Sequence, residues 1–539
     1  MAFLSFSMRW SRLAFLSALR RAASVINSIC SDQILSVSNI RQKLPANFQS
    51  NRLDRARGHS IIFMGEIFMN KIFDVIIVGA GTAGLAALRE VKKRTNNFVL
   101  INDGPWGTVC ARVGCMPSKT LIEAANAFHR RGTFEEFGIR GSGGVTLDIA
   151  ASLRRVRRLR DDFVASTLKT TDALGKRAIS GRARLLGVGR LEVNGMELRT
   201  RNIIIATGSH PIVPQSWHSL NAKLLTTDTL FEQESLPSRM AVIGLGPIGV
   251  EMSQALSRLG VNVTAFSEST HIAGLSDSQV NTVAIGLLGR EFPLHLGEKA
   301  ELDAIGGGVR VRVKGTETIV DSVLVGLGRR PNIDKLGLET LGIKLNEHGL
   351  PPVDSNTMQI ADLRVFMAGD ANQQIPLLHE AADGGYIAGI NATRPTPVHF
   401  TRRTPLAIVF ADPGIATVGS PFQTLEGKKI LTGEARFECQ GRARAAQRNK
   451  GILRLYAETG SGRLLGAEMC APGAEHLAHL LALAIGSSFT VHDMLRMPFY
   501  HPVLEEGLRT ALRVLSAQLP VCDEFDLAGC EALGAEALD

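Results

Sequence analysis

Two stretches of this chain repeat one pattern, and the repeat constrains the fold more than any other feature. "FDVIIVGAGTAGLAAL" (73–88) and "RMAVIGLGPIGVEMSQAL" (239–256) each run a β-branched apolar strand into three spaced glycines and then an Ala/Leu-rich helical pattern. In such a strand–turn–helix the first glycine (Gly79, Gly244) allows the tight turn and the second (Gly81, Gly246) lets backbone approach a pyrophosphate. The third (Gly84, Gly249) lets helix pack on strand, with the phosphate charge at the helix N-terminus. Both copies carry the whole strand–turn–helix context, which a lone glycine triplet lacks, so they point to two bound dinucleotides; a pair of glycine turns that bind nothing is the alternative. The strand after the first unit, "NFVLIND" (97–103), should end in a carboxylate for ribose hydroxyls. Asn102 holds that place with Asp103 beside it, and the second unit's next strand, "VNVTAFSE" (261–268), ends at Ser267-Glu268.

At 539 residues the chain is too long for one core and suggests three or four domains at roughly 150 residues each. Charged residues make up 21% and hydrophobic ones 45%, and no run of eighteen apolar residues is present, which argues against a membrane span. The net charge of +9 raises the possibility of a nucleic-acid partner until it is located. Residues 1–60 hold nine Lys or Arg against only Asp32 and Asp54, so that segment alone supplies +7 and the body is nearly neutral. A second basic cluster (Arg154, Arg155, Arg157, Arg158, Arg160), interleaved with Leu153, Val156 and Leu159, reads as the wet face of an amphipathic helix. Neither nucleic acid nor a membrane is expected as a partner.

The first 68 residues admit two readings. "MAFLSFSMRWSRLAFLSALRRAAS" has four arginines, several serines and no acid, the composition of a mitochondrial transit peptide. Alternatively the globular pattern begins abruptly after Met69, and Met64-Gly65-Glu66, encoded by ATG-GGN-GAR two codons upstream, resembles a bacterial ribosome-binding site. In that case 1–68 is a mis-called start and the protein is cytoplasmic; a genuine transit peptide implies the mitochondrial matrix.

Seven cysteines, an odd number scattered through a large chain, fit a reducing compartment better than a secreted disulfide scaffold. Two of them, Cys110 and Cys115 in "GTVCARVGCMPSKT" (107–120), can meet in one helical turn and form a small disulfide that is easy to reduce. Free core thiols or half a metal site are the alternatives. No matching Cys/His pair lies nearby for zinc, and no metal is expected. Thiol exchange needs a group to take and return a proton, and His501 in "MPFYHPVLEEG" is the best placed of thirteen histidines, with Pro502 fixing the chain and Glu506 five residues on.

The strings "NIIIATGSHP" (202–211), "VGLGRRPNIDKLGLE" (325–339) and "VFMAGDANQQIPLLHEAADGGYIAG" (365–389) follow in an order that, with the cysteine motif, resembles the pyridine nucleotide-disulfide oxidoreductases. The resemblance runs from Met69 to about residue 515. The wording "CARVGCMPSK" and "MPFYHPVLEEGLRTAL" is most similar to a bacterial subgroup of the dihydrolipoamide dehydrogenases. It implies an α/β fold class: two Rossmann-like dinucleotide-binding domains, for FAD and NAD, plus a C-terminal α+β dimerisation domain. The corresponding division is 1–68 extension, 69–220 FAD-binding, 221–340 NAD-binding, 341–400 FAD-binding or central, 401–518 dimerisation and 519–539 tail.

The resemblance also assigns roles. Cys110 is the outer thiol that exchanges with substrate and Cys115 the inner one facing the flavin. Lys119 lies near the isoalloxazine and pairs with Glu251, whose alternative role is a first-turn acid favoured by the helix dipole. Asp370 binds the ribityl chain and Thr207-Gly208 pass close to the flavin. Further cofactor contacts are implied at Gly107, Thr108, Ala183, Glu268 and Gly328. His501 and Glu506 match the family's His-Pro-x-x-x-Glu dyad, with Val503 and Glu505 departing from its usual threonine and serine, so Glu505 could compete as the orienting acid. The histidine is expected to reach the disulfide of the other subunit, which makes the protein an obligate homodimer. The implied activity is oxidation of dihydrolipoamide on the lipoyl domain of a 2-oxo acid dehydrogenase or glycine cleavage complex, with NAD reduced to NADH. NADP is less favoured because no arginine follows the second-unit strand. Mercuric and glutathione reductases are rivals within the class. Pro117-Ser118-Lys119 argues against the second, and a tail with Cys522 and Cys530 seven residues apart, where adjacent cysteines are usual, argues against the first. A flavin-binding interaction subunit without turnover is the reading from another class.

Overall fold

The computed structural model describes residues 71–521, 523, 525–530 and 534, and in it each glycine-bearing stretch opens the middle of a parallel sheet. In the first sheet Ile72–Val78 is flanked by Phe98–Asn102 and Ala178–Ser180 on one side and by Met196–Ile205 and Val365–Met367 on the other. In the second, Arg239–Ile243 is flanked by Asn262–Ser267 and Leu294–Leu296 on one side and by Ser322–Val325 and Leu224–Leu225 on the other. The inner four strands thus follow the same order twice, while the outermost strand comes late in the chain in the first sheet (Val365–Met367) and before the central strand in the second (Leu224–Leu225). In both the order reverses beside the central strand, where open α/β sheets bind their ligands. The unbroken apolar runs follow from burial on both faces: Phe73 and Val75–Val78 are at most 5% exposed, as are Met240–Ile243. Each such side chain contributes about 1.5–3 kcal/mol on burial.

Both units carry a small antiparallel meander, Ala183–Gly187, Arg190–Val193 and the start of Met196–Ile205 in the first, and Glu301–Ile305, Gly308–Val313 and Thr316–Val320 in the second. The second unit lies in sequence between two neighbouring strands of the first sheet, so the chain leaves the first unit and returns to it at Val365–Met367. The C-terminal part is a five-stranded antiparallel sheet in the order Leu406–Val409, Gly414–Gly419, Leu464–Ala471, Ile452–Glu458, Ile430–Arg436. Helices Ala474–Gly486 and Glu505–Ser516 cover it. Leu508, Ala511, Leu512 and Leu515 fall at helical spacing and are fully buried against it, which makes this region α+β.

The basic cluster on helix Ile149–Asp172 differs in part from the sequence expectation. Arg154, Arg155 and Arg158 are exposed, but Arg157 donates to the carbonyl of Gln233 at 2.6 Å and Arg160 pairs with Glu232. Two of the five therefore tie the helix to the loop before the second unit, a contact across 70 residues that helical spacing cannot reveal. Among the described residues no helix is long and apolar enough to cross a membrane. The transit-peptide and alternative-start readings, and Cys522, lie outside the described residues.

Candidate active site

The two glycine turns are built alike, atom for atom. Gly79 (φ +109°) and Gly244 (φ +95°) sit in the left-handed region, and a Cβ on either would meet a carbonyl of the neighbouring strand's end, Ala206 at 2.1 Å and Gly326 at 2.5 Å. A Cβ on Gly84 or Gly249 would lie 1.9 or 1.8 Å from the carbonyl of Gly79 or Gly244, so these glycines let the helix reach the strand. Gly81 and Gly246 are different: their Cβ would meet nothing within 4 Å, which is what an approaching pyrophosphate requires. Both helices, Thr82–Lys92 and Pro247–Arg258, begin without a side-chain cap, so their first N–H groups point toward that open side.

The hydrogen-bond register resolves which residue ends each following strand. Gly79 N–H donates to Ile101 O at 2.7 Å and Gly244 N–H to Phe266 O at 2.8 Å, which makes Asn102 equivalent to Ser267 and Asp103 to Glu268. Asn102 Oδ1 accepts the Ala80 N–H at 3.0 Å, so this side chain is committed to holding the turn. Asp103 and Glu268 are exposed acids one residue further on. Asn102 and Asp103 line a cavity of about 350 Å³ together with Gly79, Ala183 and Thr207. Arg182, His210 and Asn332 also line it, none of which the sequence reading assigned to the site.

Thr207 Oγ1 is buried with no hydrogen-bond partner among the described residues, an orphaned group that suits a bound polar molecule. Gly208 (φ +71°) and Gly328 (φ +93°) sit in the paired segments Ser209–Pro211 and Arg329–Pro331 or just before them. Asp370 opens the short turn Gly369–Asn372, and its Oδ2 accepts a hydrogen bond from Ser209 Oγ at 2.6 Å. Gly107 (φ +97°) packs on the stem of Arg112, and Thr108 Oγ1 accepts the Ala111 N–H at 3.1 Å, capping the short helix that carries Cys110. The open side of both glycine turns, the orphaned Thr207 hydroxyl and the cavity fit FAD on the first unit and a pyridine nucleotide on the second.

The two redox cysteines do not share one helical turn. Cys110 lies on Val109–Val113 and Cys115 opens Cys115–His129, with a break at Gly114 (φ −119°, ψ −115°). Five residues along an unbroken helix turn a side chain by roughly 140°, so the break is what brings the thiols together. A Cβ on Gly114 would lie 3.2 Å from Cys110 Cα, which explains the glycine at this corner. Both cysteines are half-buried thiols in this structure. The Cys110 S–H hydrogen bond to Cys115 pulls the Cys115 thiol down to about 7, against the opposing effect of burial, and the nearby Lys119 cation acts in the same direction. The same hydrogen bond, together with burial, pushes Cys110 up. The charge of the pair therefore resides on Cys115, at the first position of a fifteen-residue helix, where the helix dipole also favours a thiolate.

Lys119, one turn further on, is gripped by Glu251 of the second unit's helix at 2.9 and 2.7 Å to its two carboxylate oxygens. Glu251 is 5% exposed and also accepts the Phe410 N–H at 3.0 Å, while the Lys119 ammonium sits 4.5 Å from the Phe410 ring centroid. Glu251 is not a first-turn acid, since it is the fifth residue of Pro247–Arg258 and that first turn holds no acid; it joins the redox helix, the second nucleotide unit and the end of strand Leu406–Val409. Sequence reading had no signal for Phe410.

His501 Nδ1 lies 3.0 Å from Glu506 Oε1, and Glu506, 3% exposed, also accepts the Val503 N–H at 3.2 Å and Arg509 at 3.1 Å. Glu506 holds the imidazole, and among the described residues Glu505 makes no hydrogen bond or ion pair with it. His501 is half-exposed and its Nε2 makes no hydrogen bond among the described residues. Among the described residues no hydrogen bond or ion pair joins His501 to either redox cysteine.

Residues 73–385 match the family model described as pyridine nucleotide-disulphide oxidoreductase, and residues 406–512 match the dimerisation domain of the same family. Among relatives, a dihydrolipoyl dehydrogenase of Geobacillus stearothermophilus is 31% identical over 82% of this chain and 96% of its own length. A mercuric reductase of Staphylococcus aureus is 26% identical over 81% of this chain and 82% of its own. The solved structure of a Cu(II) complex of the HOCl-induced flavoprotein disulfide reductase RclA from Escherichia coli shares the fold with a TM-score of 0.72, at 20% identity, over 83% of this chain and all of that one.

Proposed function

The chain belongs to the pyridine nucleotide-disulphide oxidoreductases, FAD- and pyridine nucleotide-binding enzymes, and from that premise we propose that it oxidises protein-bound dihydrolipoamide to lipoamide with reduction of NAD. The observation that carries this reading is the unequal pair: Cys115 favours its thiolate beside Lys119, while Cys110 keeps its proton.

In the oxidised enzyme a substrate thiolate attacks Cys110 Sγ. The Cys110–Cys115 bond breaks, its electron pair staying on Cys115, where the Lys119 ammonium and the helix N-terminus hold the charge. The second substrate thiol gives its proton to the partner subunit's His501 and attacks the mixed disulfide; lipoyl disulfide leaves, and the imidazolium returns that proton to the Cys110 sulfur, so that the pair ends as the Cys110 thiol and the Cys115 thiolate. Glu506 keeps Nδ1 as the protonated nitrogen, so Nε2 is the base. Bound FAD, held by the first glycine turn, Thr207 and Asp370, and NAD, held by the second turn, supply the two-electron chemistry that returns the pair to its disulfide. Residues 406–512 match the family's dimerisation domain, and the working unit is a homodimer in which His501 serves the partner's cysteines. The partner that fits is a lipoyl domain.

The mercuric reductase relative makes Hg(II) reduction the second reading. Steady-state rates with dihydrolipoamide and NAD, against glutathione disulfide and Hg(II) with NADH or NADPH, decide between them. NADH formation from dihydrolipoamide at a kcat/KM at least about a hundredfold above the others is the expected result. Hg(II) reduction without dihydrolipoamide turnover overturns the proposal.

A further inference from the structure

A short segment between the two nucleotide units touches both of them. Gly326, at the end of strand Ser322–Val325, places its carbonyl against the Gly244 turn of the second unit. Three residues later Arg329 begins a two-stranded antiparallel ribbon of three residue pairs with Ser209–Pro211, in which Arg329 pairs with Pro211 and Pro331 with Ser209. Arg329 grips Ser209 at two points: Nε donates to Ser209 Oγ at 2.8 Å and a terminal NH₂ group donates to Ser209 O at 2.7 Å. Ser209 is 6% exposed, and its hydroxyl also lies 2.6 Å from Asp370 Oδ2.

These distances fix the direction of every proton. A guanidinium can only donate, so Ser209 Oγ must accept from Arg329; a hydroxyl has a single proton, and it is therefore committed to Asp370 Oδ2. Oδ1 makes no hydrogen bond among the described residues. Gly369 (φ +71°) lets this turn lie against the helix of the first glycine turn, since a Cβ there would meet Ala83 Cβ at 2.9 Å. The carboxylate is thus held beside the helix of the first nucleotide turn with one oxygen tied to Ser209 and the other without a hydrogen bond among the described residues.

We propose that Arg329 is a positioning residue for the flavin site, acting through Ser209 to orient the Asp370 carboxylate. The proposal rests on the reading that Asp370 contacts the ribityl chain of FAD. A charged acceptor held by a directed, buried hydrogen bond keeps its orientation between binding events, whereas a free carboxylate must be ordered each time.

The test uses the holoenzyme and follows FAD release on dilution by the recovery of free-flavin fluorescence, for Arg329→Met, Ser209→Ala, Ser209→Thr and Asp370→Ala. Loss of one hydrogen bond feeding a charged acceptor predicts release about tenfold faster in Arg329→Met and Ser209→Ala, while Ser209→Thr, which keeps the hydroxyl, stays near the parent. The melting temperature of each apoprotein should stay within about 2 °C of the parent, since orienting a cofactor contact is not a core interaction. Unchanged release in Arg329→Met alongside fast release in Asp370→Ala overturns the Arg329 role and leaves the Asp370 reading standing. Unchanged release in Asp370→Ala overturns that reading instead. A fall in apoprotein melting temperature that accounts for the faster release assigns Arg329 a structural role and also overturns the proposal.

Discussion

The two nucleotide units share the order of their inner four strands and the same three glycines in the same places, yet their helices are put to different uses. The helix after the first turn, Thr82–Lys92, buries Ala83, Gly84, Ala87, Leu88 and Val91 against its own unit and the returning helix Leu378–Asn391. The helix after the second, Pro247–Arg258, turns polar groups outward to its neighbours at three points. Glu251 holds Lys119 and the Phe410 N–H, Gln254 exchanges hydrogen bonds with the Asp412 backbone, and Arg258 bonds Asn126, Glu291 and Asp412. The helix of one glycine turn therefore packs on the first unit and its returning helix, while that of the other also carries the carboxylate that clamps Lys119 of the redox helix.

The largest effects should come from the third glycines, where the two units ought to behave alike. Gly84→Ala or Gly249→Ala drives a methyl within 2 Å of a backbone carbonyl, and each should cost more than about 4 kcal/mol or abolish folding, as read by chemical denaturation. The middle glycines should separate the units. Gly81→Ala and Gly246→Ala meet no protein atom, so stability stays within about 0.5 kcal/mol while affinity falls, for FAD in the first and for the pyridine nucleotide in the second. A Gly246→Ala chain that loses flavin rather than nicotinamide would break the assignment of the two turns.

A smaller effect isolates the clamp. Lys119 lowers the Cys115 pKa, so in Lys119→Met the thiolate should form at higher pH, with the midpoint for alkylation of the reduced enzyme rising from near 7 toward the ordinary thiol value. The sign is fixed: the group's folded pKa lies below its ordinary value, so the thiolate is present above about pH 7 and is lost as pH falls through it. An unchanged midpoint would mean that Cys110 and the helix N-terminus set the thiolate without the cation.

What the sequence showed and what it hid divide along range. The glycine units were legible because strand, turn and helix signals lie within sixteen residues and each glycine has a local steric reason. The Lys119–Glu251 pair, 132 residues apart, was reachable only through resemblance, as was the His501–Glu506 pairing in preference to Glu505. The break between the redox helices had a local signal, Gly114 before a cysteine and Pro117 in a first turn, that a single-turn reading overlooked. Arg329 and Ser209 lay in plain sight within quoted strings, but single polar contacts leave no periodicity, and only the folded chain shows that the arginine grips Ser209 and, through it, Asp370.

The division of labour between the cysteines is tested most directly by the reduced Cys110→Ser and Cys115→Ser enzymes, titrated for thiolate by absorbance with the flavin bound. The serine hydroxyl at 110 can still donate to Cys115, so Cys110→Ser should keep a thiolate forming below the ordinary thiol range and a long-wavelength flavin–thiolate band. Cys115→Ser should show neither. A low-pH thiolate and the band in Cys115→Ser, with both lost in Cys110→Ser, would contradict the assignment of Cys115 as the charge-bearing thiol.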